Sequence, residues 1–317
     1  MSIKTDKTFR IVEWVANIVL FILISFIFYI SIPVKTTSTI FIPQGSVNNI
    51  ITQLSKRGYG LGTIDKYILV ILGKPQSGWI NIGETHLNRI DFLHKLVTAK
   101  AKMVNITLIP GETTIIFFQE ISKQLNLDID KLQKYMDEFS SYREAGIYAN
   151  TYYVPFGIKE RHLIRFLVSQ TDRKYREFSY KVYGRYNKKK WNRILTIASI
   201  VQKEAANAKE MPIVSSVIYN RLRKKMPLQM DGSLNYGKFS HVKVTSERIK
   251  NDKTPFNTYR HKGVPPYPVS SVSFSAIKAA IKPVTTNYLY FVKNSKGTHN
   301  FSRSFIQHRK NIKNSKF

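Results

Sequence analysis

The chain has 317 residues, none of them Cys, with 43% hydrophobic and 13% aromatic content. This composition excludes an intrinsically disordered profile, and the missing cysteine excludes disulfides, thiolate nucleophiles and Cys-ligated zinc. Fifty Lys+Arg against twenty Asp+Glu give a formal net charge of +30, which suits an anionic partner (nucleic acid, phospholipid head groups, an acidic polysaccharide) or reflects only a lysine-rich composition, since the dense runs are confined to Lys188–Lys190 and Arg309–Lys316.

From Ile11 to Ile32 the sequence reads IVEWVANIVLFILISFIFYISI. At 1.5 Å per residue this run spans the ~30 Å hydrocarbon core of a bilayer. Lys4, Lys7 and Arg10 precede it, so the positive-inside rule makes residues 1–10 a cytoplasmic tail, 11–32 a transmembrane helix and the remainder extracytoplasmic, with Lys35 weakening the asymmetry slightly. A cleaved signal peptide would have an apolar region of ~7–15 residues and small residues at its cleavage site, which Ile30-Ser31-Ile32-Pro33 does not supply. The expected location is the cytoplasmic (inner) membrane, single-pass, with the body of the chain in the periplasm or extracytoplasmic space.

Beyond the anchor, domains of ~100–150 residues would divide the chain into two. Thr39–Ile42 and Ile106–Ile109 are β-rich runs stopped by Pro43-Gln44-Gly45 and Pro110-Gly111, and each is followed by an amphipathic helix: Val47, Ile50, Ile51 and Leu54, then Ile115, Phe118, Ile121 and Leu125. Between them a helix at Ile64–Leu72, a strand at Trp79–Ile82 and a helix at Leu87–Val97 complete a small α+β module over 33–103. A further helix is expected over Glu160–Tyr183, closing an intermediate part at 104–187. The polar stretch Gly184–Lys190 is the best linker before a last part at 188–317.

Asn192–Ala208 reads NRILTIASIVQKEAANA, with Ile194, Ile197, Ala198, Val201 and Ala205 on one helical stripe. Glu204 falls at the edge of the stripe and Lys203 on the opposite, solvated side. A carboxyl half in apolar surroundings has a raised pKa, as a proton donor near neutral pH requires, although a glutamate at a helix edge is more commonly a solvated surface residue. The next helix is expected from Glu210-Met211-Pro212 and carries Tyr219, Asn220 and Arg221. The loops Pro227–Asp231, Phe256–Arg260 and Gly263–Pro266 then place polar side chains between prolines and glycines.

The order ASIVQKE, YNRL, PLQMD, FNTYRHKGVPP, YLYFV and HNFSRSFIQH resembles the endolytic murein transglycosylase family, the MltG/YceG-like enzymes. The resemblance implies α+β architecture: an N-terminal transmembrane helix, a small LysM-like module and a mixed α/β catalytic domain. It maps the family's catalytic glutamate onto Glu204, with Gln202 where the family segment has its first acid. Glu144–Tyr152 resembles a family segment that normally ends Pro-Asp-Thr-Tyr, with Ala149 and Asn150 replacing the Pro and Asp.

The implied reaction is cleavage of the MurNAc–GlcNAc bond within a glycan strand, ending in a 1,6-anhydro sugar without addition of water. Glu204 would act as acid and then as base. Gln229, Asn257, Tyr259, Arg260 and Asp231 are the candidates for holding substrate, with Asp231 and Glu247 the acids to test should a second catalytic carboxylate exist. His261 and His299 are read as locally bonded loop histidines, and no metal or other cofactor is implied. Expected partners are peptidoglycan strands and peptidoglycan synthases (penicillin-binding proteins), not nucleic acid. The alternative reading is a membrane-anchored peptidoglycan-binding protein without catalysis.

Overall fold

The structure, a computed structural model, describes residues 3–315 and the side chains of 7–315; the side chain of Lys4 in the basic flank, and Lys316 in the basic tail, lie outside the described residues. The chain forms two compact units. The first runs from the N-terminal helix to Val104 and takes in Pro155–Gly157; the second comprises Asn105–Val154 and the chain from Ile158 onward.

Helix α1 (Ile3–Ser31) is continuous. Its stretch Lys7–Ser31 is 25 residues long with mean hydropathy 2.5 and none of it is buried in the protein, so it is long and apolar enough to cross a membrane. Its last turn differs from the rest: Tyr29 and Ile30 pack against the core of the module that follows.

In that module β1 (Pro33–Lys35) pairs antiparallel with β4 (His86–Asn88), and β2 (Thr39–Ile42) with β3 (Gly78–Asn81), placing Val34 opposite Leu87 and Ile40 opposite Ile80. Helices α2 (Val47–Leu54), α3 (Thr63–Leu72) and α4 (Arg89–Thr98) cover these ribbons. The helix expected from Leu87 starts two residues later: the side chain of Asn88 accepts from the Asp91 N–H at 2.8 Å and caps the helix, leaving Leu87 to face Val34 as a strand residue. Asp65 and Arg89 form a buried ion pair at 2.8 Å in which Tyr29 also donates to Asp65 at 2.9 Å. Gly157 has φ +77° and a Cβ there would lie 2.2 Å from the Trp79 ring, so only glycine fits.

β5 (Met103–Thr107), which enters the second unit at Asn105, pairs with β6 (Thr151–Pro155), which leaves it after Val154, and α5 (Thr114–Leu125), α6 (Ile129–Phe139) and α7 (Glu160–Tyr183) belong to the second unit. The remainder is α8 (Lys188–Glu204), α9 (Met211–Arg223), α10 (Ser246–Asn251), α11 (Phe274–Ile281), the hairpin β7 (Tyr290–Lys293) and β8 (His299–Ser302), and α12 (Phe305–Asn314). The stretch expected as a linker is a tight turn: Gly184 ends α7 in the left-handed conformation, Asn187 caps α8, and Lys188–Lys190 are its first helical turn. Ile115, expected on the buried stripe of α5, is 36% exposed; Phe117 takes the core position beside Phe118.

Helix α8 is the hub. Every residue from Ile194 to Val201 is buried, so it is a central helix packed by α9 and α11 and not a one-faced amphipathic one. Its polar members are satisfied locally: Thr196 donates to Asn192 O, and Ser199 donates to Thr196 O while accepting from the Val269 N–H. The helix ends at Glu204, earlier than the expected run to Ala208, because Ala205 turns into an extended conformation.

Candidate active site

Glu204 is the last residue of α8, where the helix emerges from the core. Oε1 accepts the Gly232 N–H at 2.7 Å. Among the described residues its other oxygen accepts no hydrogen bond, and the carboxyl lines a cleft of about 340 Å³. Burial lifts its pKa to about 7; the Asp231 carboxylate pushes the same way, against the Gly232 N–H and the Arg221 guanidinium. The acid is therefore poised near neutrality by its surroundings.

The cleft is built from the loops that follow α9. Gln229 stands at φ +49°, a left-handed conformation unusual for a residue with a side chain, held by its own N–H donating to Thr258 O. Tyr259 donates to Asp231 Oδ1 at 2.6 Å across the mouth. Burial and the adjacent Asp231 raise the Tyr259 pKa, so it remains a neutral donor. Tyr290, Phe305 and His308 close the other wall, with the His308 ring stacked on Tyr290.

Arg221, within the YNRL segment, also lines the cleft, but its guanidinium is committed to the scaffold. It donates to Leu289 O at 2.6 Å and Leu228 O at 2.7 Å, joining the Gln229 loop to the β7 strand. Its neighbour Asn220 donates to Thr286 O and Tyr288 O. The pair explains why this polar segment sits on a mostly buried helix: it ties down carbonyls of loops that carry cleft residues.

The structure thus brings Glu204, Gln229, Asp231 and Tyr259 together, and adds Arg221, Tyr290 and His308, whose segments were noticed in the sequence without a role. Asn257 and Arg260 are not with them. Asn257 is fully buried, donating to Ile249 O and Asp252 O and accepting from the Tyr259 N–H, so it braces the loop from inside. Arg260 lies outside the cleft lining and donates to Lys250 O. Glu247 is exposed in the first turn of α10, away from the cleft lining.

Lys203 departs from expectation. It is half-buried and donates to Ser240 Oγ at 3.0 Å, and burial lowers its pKa against the pull of Glu112 and Glu144. Glu144 is a second carboxyl raised to about 7 by burial. Its Oε2 accepts both the N–H and the hydroxyl of Thr114, and it lines a different cavity, beside Tyr142 and Tyr236. Gly146 in the same segment is obligatory, since a Cβ would fall 2.1 Å from Ser140 Oγ, whereas Asn150 is exposed. His299 bonds Glu210 at 2.7 Å, and His261 approaches Lys253 O at 3.2 Å. Gln202 accepts the Ser273 N–H through its amide oxygen, a task for which no charge is needed. Among the described residues no group of three or more His, Asp or Glu side chains is placed to hold a metal ion.

Glu204, a carboxylic acid poised near neutrality, thus stands at a helix end beside Asp231 in an open cleft of polar and aromatic side chains. The chain belongs to the YceG-like family, whose model matches residues 40–314. It is similar to the endolytic murein transglycosylase of Bacillus subtilis (strain 168), with 29% identity covering 87% of this chain and 84% of that protein. It also resembles the enzyme of the same name from Streptococcus pneumoniae (strain D39), with 34% identity over 38% of this chain and 23% of that protein. The crystal structure of a yceG-like protein from Listeria monocytogenes superposes with a TM-score of 0.56 at 25% identity, covering 87% of this chain and 99% of that one.

Proposed function

We propose that this protein is an endolytic peptidoglycan lyase that cuts the MurNAc–GlcNAc bond within a strand and leaves a 1,6-anhydroMurNAc end. The names of its relatives supply the substrate class, and the observation that carries the chemistry is Glu204: a single acid with one oxygen fixed by Gly232 and the other facing the cleft. Protonated Glu204 donates to the glycosidic oxygen as the C1–O bond breaks. The resulting carboxylate then removes the proton of the muramic C6 hydroxyl as that oxygen bonds to C1. The proton count closes and no water enters the products.

A hydrolase would need a second carboxylate free to activate water or attack C1. The other acid lining the cleft, Asp231, already accepts the Tyr259 hydroxyl at Oδ1. It suits a role in positioning sugar hydroxyls together with Gln229. On the same reading the N-terminus is cytoplasmic, residues 33–103 are the LysM-like module, and the enzyme works on strands beside the synthases that extend them, in a role that ends glycan elongation.

Glu204→Gln keeps the Gly232 hydrogen bond but cannot donate or accept the catalytic proton. We expect it to abolish release of anhydro-ended fragments while glycan binding persists. Undiminished release would instead leave the chain as a wall-binding protein or assign the chemistry elsewhere.

A further inference from the structure

Helix α3 is apolar on both sides. Ile68 and Leu69 face the module core, yet Ile64, Tyr67, Val70 and Ile71 on the other side are 48%, 61%, 59% and 85% exposed. The spacing of three and four makes them one apolar stripe on the side turned away from the core. Single exposed apolar residues are ordinary, but four on one face of a ten-residue helix are not.

Helix α3 begins beside the end of the anchor. Asp65, in the first turn of α3, accepts from the Tyr29 hydroxyl at 2.9 Å, and Arg89 donates to the same oxygen at 2.8 Å while its guanidinium lies over the Tyr29 ring. Tyr29 belongs to the last turn of α1, where a tyrosine marks the membrane–water boundary. The module is therefore not on a loose tether: α3 begins within one side-chain length of the point where the anchor leaves the lipid, and a helix of ten residues extends only ~15 Å from there. Lys66 lies beside the stripe, its ammonium near the Tyr67 ring, as a cation suited to phosphate head groups.

We infer that the Ile64–Tyr67–Val70–Ile71 face of α3 is a second membrane contact, lying in the interfacial layer of the same phospholipid bilayer that α1 crosses. This rests on the reading of α1 as a membrane anchor. It turns the first unit into a foot pressed on the lipid surface, held by an anchor and by an apolar helix face.

Because the native chain has no Cys, single labels can be placed without background. Full-length Ile71→Cys, Phe28→Cys and Asn251→Cys are each labelled with a fluorophore and reconstituted into phosphatidylcholine–phosphatidylglycerol vesicles carrying a shallow lipid-borne quencher. The label at position 71 should be quenched several-fold more than that at 251, and the label at 28 should be quenched as well. Equal quenching at 71 and 251 with strong quenching at 28 overturns the inference and leaves the anchor standing. Failure to quench at 28 overturns both. Shielding of position 71 only in native membranes, and not in protein-free vesicles, would make the occupant a protein and also overturn the inference.

Discussion

The Gly232 N–H donates to Glu204 Oε1 at 2.7 Å, and a methyl group on Gly232 would sit 2.9 Å from that same oxygen. One contact therefore both aims the carboxyl and requires the absence of a side chain opposite it. It is the link between the end of the buried helix α8 and the loop that carries Asp231.

Gly232→Ala tests this link. The methyl would also meet Lys203 Cβ at 2.8 Å, so overpacking should cost about 1–3 kcal/mol of stability. Turnover should fall while substrate affinity changes little, because what moves is the acid and not the walls of the cleft. Steady-state kinetics of a folded variant check it; a pure rise in KM would show that Gly232 serves binding.

The pH dependence follows from the raised acid. Activity should decline as pH rises through about 7, where Glu204 loses the proton it must donate. Stability has the same sign: a carboxyl whose folded pKa lies above its unfolded one contributes fully below ~4.3, and that contribution is lost as pH rises through about 7. Glu204→Gln should thus be more stable than the native chain above neutrality, by up to ~3 kcal/mol, with the gap closing in acid. Denaturation midpoints measured across pH decide this, and equal stabilities at alkaline pH would contradict it.

Asp231→Asn removes the negative charge that helps raise the Glu204 pKa. The alkaline limb of the activity profile should move to lower pH, with activity reduced but present and anhydro products unchanged. Complete loss at every pH would make Asp231 a second catalytic acid.

Gln229→Gly relieves a side-chain-bearing residue of its left-handed backbone, a strain of ~1 kcal/mol or more, partly offset by the greater freedom of glycine when unfolded. Thermal stability should therefore hold within about 1 kcal/mol while KM for glycan rises. A substantial loss of stability without a change in KM would make Gln229 a scaffold residue.

The long elements were legible because their periodicity is strong. The helix over Glu160–Tyr183 and the strand over Thr39–Ile42 appear with the expected bounds. The helix Ile129–Phe139 was legible but not read: Ile129, Leu132, Met136 and Phe139 recur at spacings of three and four, and the Asp128 side chain caps it. Glu204 stood out from pattern and resemblance, but its pKa depends on an N–H and a carboxylate 28 and 27 residues further along the chain, which only folding brings near. Asn257 and Gln229 looked equivalent as loop amides. Burial separates them, sending one into the loop interior and the other to the cleft. Lys203 misled for a simple reason: a helix wheel shows one helix, and the loop that brings Ser240 over the lysine is not on it.

Glu204 alone, on the proposed mechanism, runs a water-free cleavage. Its most direct measurement is mass spectrometry of the fragments released when the protein, in detergent or vesicles, digests defined uncrosslinked glycan strands, in parallel with Glu204→Gln and Glu144→Gln. Fragments should end in 1,6-anhydro sugars, one water lighter than hydrolysis products, from the native chain and from Glu144→Gln, and be missing from Glu204→Gln. Hydrated reducing ends, or anhydro fragments from Glu204→Gln, would contradict it.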